Sequence, residues 1–153
     1  MNLPDIRQLV PHSGQMVLLD RALLVDADCL VAEVRIHEGS MLGGPDGVGA
    51  WVGIEYMAQA ISAHAGWHAL QRGEEVKVGF LLGSRKYETK VAVFAPGSVL
   101  HVHVRRVLRA DNGLGAFDCR IDIAGGMAGA ATATVTVFEP DNVNEFLKDG
   151  NAG

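Results

Sequence analysis

Within this 153-residue chain a single stretch, 51–71, carries a long helical pattern, and the rest must fold around it. It sets Ile54, Met57, Ala58, Ile61 and Ala65 on one face at three- and four-residue spacing, and Arg72-Gly73 stops it. Most of the remaining chain alternates with a period of two. In 29–36, Leu30, Ala32, Val34 and Ile36 face one way, while Cys29, Val31, Glu33 and Arg35 face the other. Stretches 17–26, 76–90, 99–110, 114–124 and 129–139 read as further strands, and Gly79 and Gly83 are the expected bulges in 76–90. Turns are expected at Asp26-Ala27-Asp28, Ala95-Pro96-Gly97-Ser98, Asp111-Asn112-Gly113 and Gly125-Gly126. The small residues of 124–136 suit a tightly packed strand. One helix cannot cover both faces of six strands. The expected fold is therefore α+β, a curved antiparallel sheet wrapped around one long central helix. We expect a single domain over 1–153, with 141–153 a polar, fraying tail. A long sheet with open edges favours a dimer.

Charge and composition narrow the function classes. A net charge of −5 argues against non-specific nucleic-acid binding. Hydrophobic residues at 48% and charged residues at 20% fit a globular protein and exclude general disorder. No run of 18 apolar residues exists, so no membrane span is expected. Met1-Asn2-Leu3-Pro4-Asp5 lacks the basic and apolar regions of a signal peptide. Cys29 and Cys119 lie in separate strands and are expected to be free thiols. The expected location is cytoplasmic.

Chemistry concentrates at the helix start. Glu55, Gln59 and Ser62 stand at i, i+4 and i+7, beside the apolar face. A carboxylate at the edge of a buried face is either an acid/base or a burden on stability. Gln59, one turn on, can orient it by hydrogen bonding. Before the helix runs a glycine-rich connection, 37–50, long enough to be functional or mobile.

Three segments together resemble the 3-hydroxyacyl-(acyl carrier protein) dehydratases. They are Pro11-His12 followed by Leu18-Leu19-Asp20-Arg21; Ile54-Glu55-Tyr56-Met57-Ala58-Gln59; and Gly83 followed by Pro96-Gly97 and a strand. The resemblance spans residues 10–140 and is to the dehydratase-like subunits of aryl-polyene and related lipid gene clusters. It implies the hotdog fold and a dimer with active sites at the subunit interface. It implies loss of water from a 3-hydroxyacyl thioester, carried by acyl carrier protein or coenzyme A, to give a trans-2-enoyl thioester. In that family a helix acid and a loop histidine from opposite subunits act together. Glu55 matches the acid. Counting back 14 residues to the histidine position lands on Met41, and the nearest histidine is His37. The usual Pro-Gly at the helix start is here Gly49-Ala50.

Dehydration needs a base for the α-proton and an acid for the departing hydroxyl. Backbone N–H groups at Ala50-Trp51-Val52 can hold the developing enolate. Met41 offers no proton, and loss of a general base costs about 10²–10⁴-fold in rate. Three accounts stand open. The glycine-rich loop brings His37 to Glu55; or the chain pairs with a related, histidine-bearing hotdog subunit and supplies Glu55; or Glu55 is structural. Met57, Trp51, Phe80 and Leu81 are the expected tunnel lining. No metal or redox cofactor is required. A hotdog acyl-CoA thioesterase is the rival enzyme, because a helix carboxylate can activate water without a histidine.

Other groups weigh less. His64 and His68 have i, i+4 metal spacing but no evident third ligand. His101, His103 and Arg105 share a strand face read as outer and solvated. Arg85, Lys86 and Lys90 could meet an acidic carrier protein or a phosphopantetheine phosphate, although a charged strand edge is the commoner explanation. His12 is expected to fix its loop. Ser62 and Cys119 lack a histidine partner nearby in sequence, so a nucleophilic triad has little support.

Overall fold

The computed structural model describes residues 3–10, 16–74 and 80–138, with backbone alone for 80–82, 84 and 85. The chain opens on a one-turn helix, α1 (Ile6–Leu9), that the sequence pattern did not announce. The Asp5 carboxylate caps it by accepting from the Arg7 N–H. Strands β1 (Arg21–Val25) and β2 (Cys29–Arg35) form the expected hairpin, closed where Asp26 accepts from the N–H groups of Asp28 and Cys29. The glycine-rich connection holds two short strands, β3 (Gly43–Gly44) and β4 (Gly47–Gly49). A 3₁₀ turn (Ala50–Val52) leads into the long helix α2 (Gly53–Gln71). Then come β5 (Phe80–Thr89), β6 (Val93–Phe94), β7 (Val99–Arg109), β8 (Leu114–Ile123) and β9 (Ala131–Phe138).

Six strands make one antiparallel sheet in the order β1-β2-β7-β8-β9-β5. A second sheet, β3-β4-β6, sits beside it. That small sheet departs from the expected open loop. Glycines carry no side-chain alternation, so its strands leave no period-two signature in the sequence. In β5 the pairing slips at Leu81–Gly83, where a bulge was expected, and again at Arg85–Glu88, where Lys86 has φ +53. Gly79 and the 141–153 tail lie outside the described residues.

Helix α2 packs against β2, β7, β8, β5 and β9, so the sheet curves around it. The inward strand residues are those the alternation selects. Leu30, Ala32 and Val34, then Leu100, Val102 and Val104, then Phe117, Cys119 and Ile121 are all buried. Burying each large aliphatic side chain contributes about 1.5–3 kcal/mol before entropy is counted. Alanines at 131 and 133 on β9 are buried too, consistent with a tightly packed strand.

The helix is covered more widely than a one-face stripe. Tyr56, Gln59, Ala60, Ala63 and His64 are buried along with Met57 and Ile61, while Ile54, Ala58 and Ala65 are only partly so. Part of the extra cover is α1, which packs on α2. At the crossing, a Cβ on Gly66 would lie 1.9 Å from the Leu9 carbonyl oxygen, so only glycine fits.

The outer sheet face is a lattice of charges and less solvated than expected. His101 and His103 are half-buried, and His103 Nε2 lies 3.1 Å from Asp122 Oδ2. Arg105 is exposed, as expected. Glu33 is 4% exposed between Arg21 and Arg35, whose guanidinium hydrogen bonds hold its carboxyl below the usual range. No helix among the described residues is long and apolar enough to cross a membrane, and both cysteines are free thiols.

Candidate active site

Glu55 lies in the first turn of α2, half-buried. Its orientation comes from the next turn. Gln59 is 1% exposed, and its Nε2 donates to Glu55 Oε1 at 3.3 Å and to the Met16 carbonyl at 2.7 Å. Its Oε1 accepts from the Leu18 N–H at 2.8 Å. One amide thus ties the 16–18 segment to the helix and holds the carboxylate in place.

The helix start is locked from a second side. The Tyr87 hydroxyl donates to the Ala50 carbonyl and stands over Gly53, where a Cβ would lie 2.2 Å from it. Burial pushes the Tyr87 phenol up to about 12, so it stays a donor at neutral pH. The sequence reading missed Tyr87, because the bulge at Lys86 shifts the parity of β5. The Ala50 N–H, expected to be available to substrate, donates to the Ala92 carbonyl at 2.9 Å. A helix start leaves its first amides without intrahelical partners, so Trp51 and Val52 carry the remaining donors of that trio.

His37 is placed elsewhere. It is exposed in the connection after β2, folded into a tight turn of its own. Its N–H donates to Ser40 Oγ, its carbonyl accepts from the Ser40 N–H, and its ring Nδ1 accepts from the Gly39 N–H at 3.1 Å. His37 and Met41 together line a cavity of about 350 Å³ with Asp20, Arg35 and Tyr56, and Glu55 is not part of its wall.

The expected tunnel residues divide. Met57 is fully buried in the core. Trp51 is 66% exposed, and the indole lies against Gly49, whose backbone pairs with exposed Val93. The side chains of Phe80, Leu81 and Arg85 lie outside the described residues, as does His12. Lys86 and Lys90 are exposed. The His64 and His68 pair has a structural task. Nε2 of His64 faces the carbonyls of Asp26 and Ala27 at 3.1 and 3.2 Å, and Nε2 of His68 faces that of Ala27 at 2.8 Å. Burial first, then the His68 charge, pushes His64 down to about 4, so it pins the β1–β2 turn as a neutral donor. Among the described residues no group of three or more metal-ligating side chains converges.

A chain of the dehydratase heterocomplex ApeI:P from Xenorhabdus doucetiae is 29% identical, with 98% of this chain and 99% of that one covered and a TM-score of 0.85. A hypothetical thioesterase from Streptococcus pneumoniae, solved with coenzyme A, is 18% identical over 77% of this chain and 83% of its own, with a TM-score of 0.57. The PaaI protein of Escherichia coli is 11% identical over 77% and 81%, with a TM-score of 0.58. At such identities the last two show a shared hotdog fold. No curated protein matches. Residues 4–148 match the ApeP-like dehydratases. With the helix carboxylate, the wrapped sheet and a match over nearly its full length, the chain belongs to the ApeP-like dehydratase family.

Proposed function

We propose that this chain is the acid-bearing subunit of a two-chain hotdog dehydratase, which converts a 3-hydroxyacyl thioester to a trans-2-enoyl thioester. The observation that carries this reading is Met41, which stands where the family places its histidine and offers no proton. The acid is held by Gln59, while the histidine of the same chain is engaged in its own turn around a different cavity. A related hotdog subunit then supplies a histidine to Glu55. This matches the heterocomplex reported for the relative from Xenorhabdus doucetiae.

In the reaction the partner histidine takes the α-proton, and electrons move into the thioester carbonyl. The developing enolate is met by amide donors at Trp51 and Val52. The protonated carboxyl of Glu55 gives its proton to the 3-hydroxyl as the carbon–oxygen bond breaks, so water leaves and the double bond forms. Transfer of the histidine's proton back to the carboxylate resets the pair. Gln59 positions Glu55 and touches no reacting atom. The thioester is carried by acyl carrier protein or coenzyme A. We place the complex in the cytoplasm, in line with the two free thiols.

The test compares the purified chain alone with the chain co-purified with a histidine-bearing hotdog subunit. Each is given a 3-hydroxyacyl carrier-protein thioester, and the acyl product is read by mass spectrometry. Enoyl product is expected from the pair alone. Glu55→Gln in the pair should lower the rate by about 10²-fold or more while the complex still assembles. Full turnover by the single chain sinks the two-chain reading, and a hydrolysed acid moves the protein to the thioesterases.

A further inference from the structure

A cavity of about 510 Å³ opens at the far end of α2 from Glu55. Thirteen residues of helix separate Glu55 from His68, which at the helical rise is about 20 Å, so this is not the candidate active site. Phe117, Val137 and Leu114 give it an apolar floor, and Arg72, Arg106 and Arg109 a cationic rim. Its volume lies in the usual range for small-molecule sites, about 300–1,000 Å³.

The simplest account of such arginines is that they offset the helix dipole. That dipole amounts to about half a charge. The helix end is also capped internally, with the N–H groups of Arg72, Gly73 and Glu74 donating to the carbonyls of His68, Ala69 and Leu70. Three guanidinium groups exceed what remains. Glu74 pairs with Arg72 at 3.2 Å, and Asp28 lies 3.8 Å from Arg106, both carboxylates facing solvent. Asp111 also lines the cavity. Burial first, then Arg106, Arg72 and Arg109, press His68 away from its charged form, and the Ala27 carbonyl opposes them. Arg106 is held for this position, donating to the Ala27 carbonyl at 3.2 Å.

We propose that this cavity binds an anionic amphiphile, with a carboxylate or phosphate head on the arginine rim and an aliphatic tail over Phe117 and Val137. The two halves of the wall require both features. A bare anion makes no use of the apolar part of the wall, and an uncharged chain leaves Arg109 without a carboxylate to meet it.

Calorimetric titration of the purified chain with decanoate, decyl phosphate, decanol and inorganic phosphate, all below micelle-forming concentrations, tests the assignment. Decanoate and decyl phosphate should bind, and decanol and inorganic phosphate should bind at least about tenfold more weakly. The exposed pair Arg72→Gln/Arg109→Gln should weaken decanoate by about tenfold or more without loss of fold. Glu55→Gln should leave its affinity unchanged. Tighter binding of decanoate identifies the head as a fatty-acid carboxylate; tighter binding of decyl phosphate identifies a phosphate ester. Decanol matching decanoate, an affinity untouched by the arginine substitutions, or loss of binding in Glu55→Gln each overturns the proposal.

Discussion

Gln59 and His64 show how buried polar side chains can organise a helix through their hydrogen bonds. Gln59 binds three partners at once, one of them the carboxylate of Glu55. His64, one turn and a half further on, anchors the β1–β2 turn through its neutral ring. That anchor has a pH signature. Its folded pKa, about 4, lies below the ordinary histidine value of about 6.5, so the unfolded chain binds the extra proton first. The contribution is complete above about pH 6.5 and is lost as pH falls toward 4, by up to about 3 kcal/mol. Urea titrations across that window should show the decline, and His64→Asn should flatten it. A variant with an unchanged slope would remove His64 as its source. Glu55 and Gln59 were legible in the sequence because helical spacing alone places them on adjacent turns. Tyr87 was not, since a single bulge residue reverses which face its strand presents. The commitment of His37 to Ser40 and Gly39 was equally hidden, being a matter of turn geometry.

The short helix α1 and the small sheet β3-β4-β6 are the pieces the pattern concealed. Four residues are too few to show a period, and glycines have no side chains to alternate. Both nonetheless meet α2 at defined contacts. Gly66→Ala illustrates this. Inside an exposed helix the change would stabilise by about 1 kcal/mol. Here the new methyl would enter the Leu9 carbonyl, so the sign reverses, and a loss of about 1–3 kcal/mol is expected. Thermal unfolding measures it, and a raised Tm would show that α1 does not pack there in solution. The long strands, by contrast, were legible almost residue by residue. Their inward positions are those the alternation selects on β2, β7 and β8.

At the level of assembly, the helix start faces outward with an uncovered indole. Trp51 is two-thirds exposed beside exposed Val93, close to the turn that carries Glu55. A second hotdog chain seated there would bury apolar surface and bring its own loop to the acid. Trp51→Glu should weaken that association at least about tenfold, because it sets a charge in the apolar contact. Light scattering after size exclusion reads this, with circular dichroism confirming the fold. Assembly unaffected by the substitution would place the interface elsewhere.

The strand order also has a consequence for biosynthesis. Among the described residues β5 pairs with β9 alone, yet the whole stretch 90–130, with β6, β7 and β8, is translated between them. A nascent chain on the ribosome therefore carries β5 unpartnered until the last strand emerges. Closing the sheet is a late, long-range event, of the kind that slows folding and leaves a strand edge open to wrong pairings in the meantime.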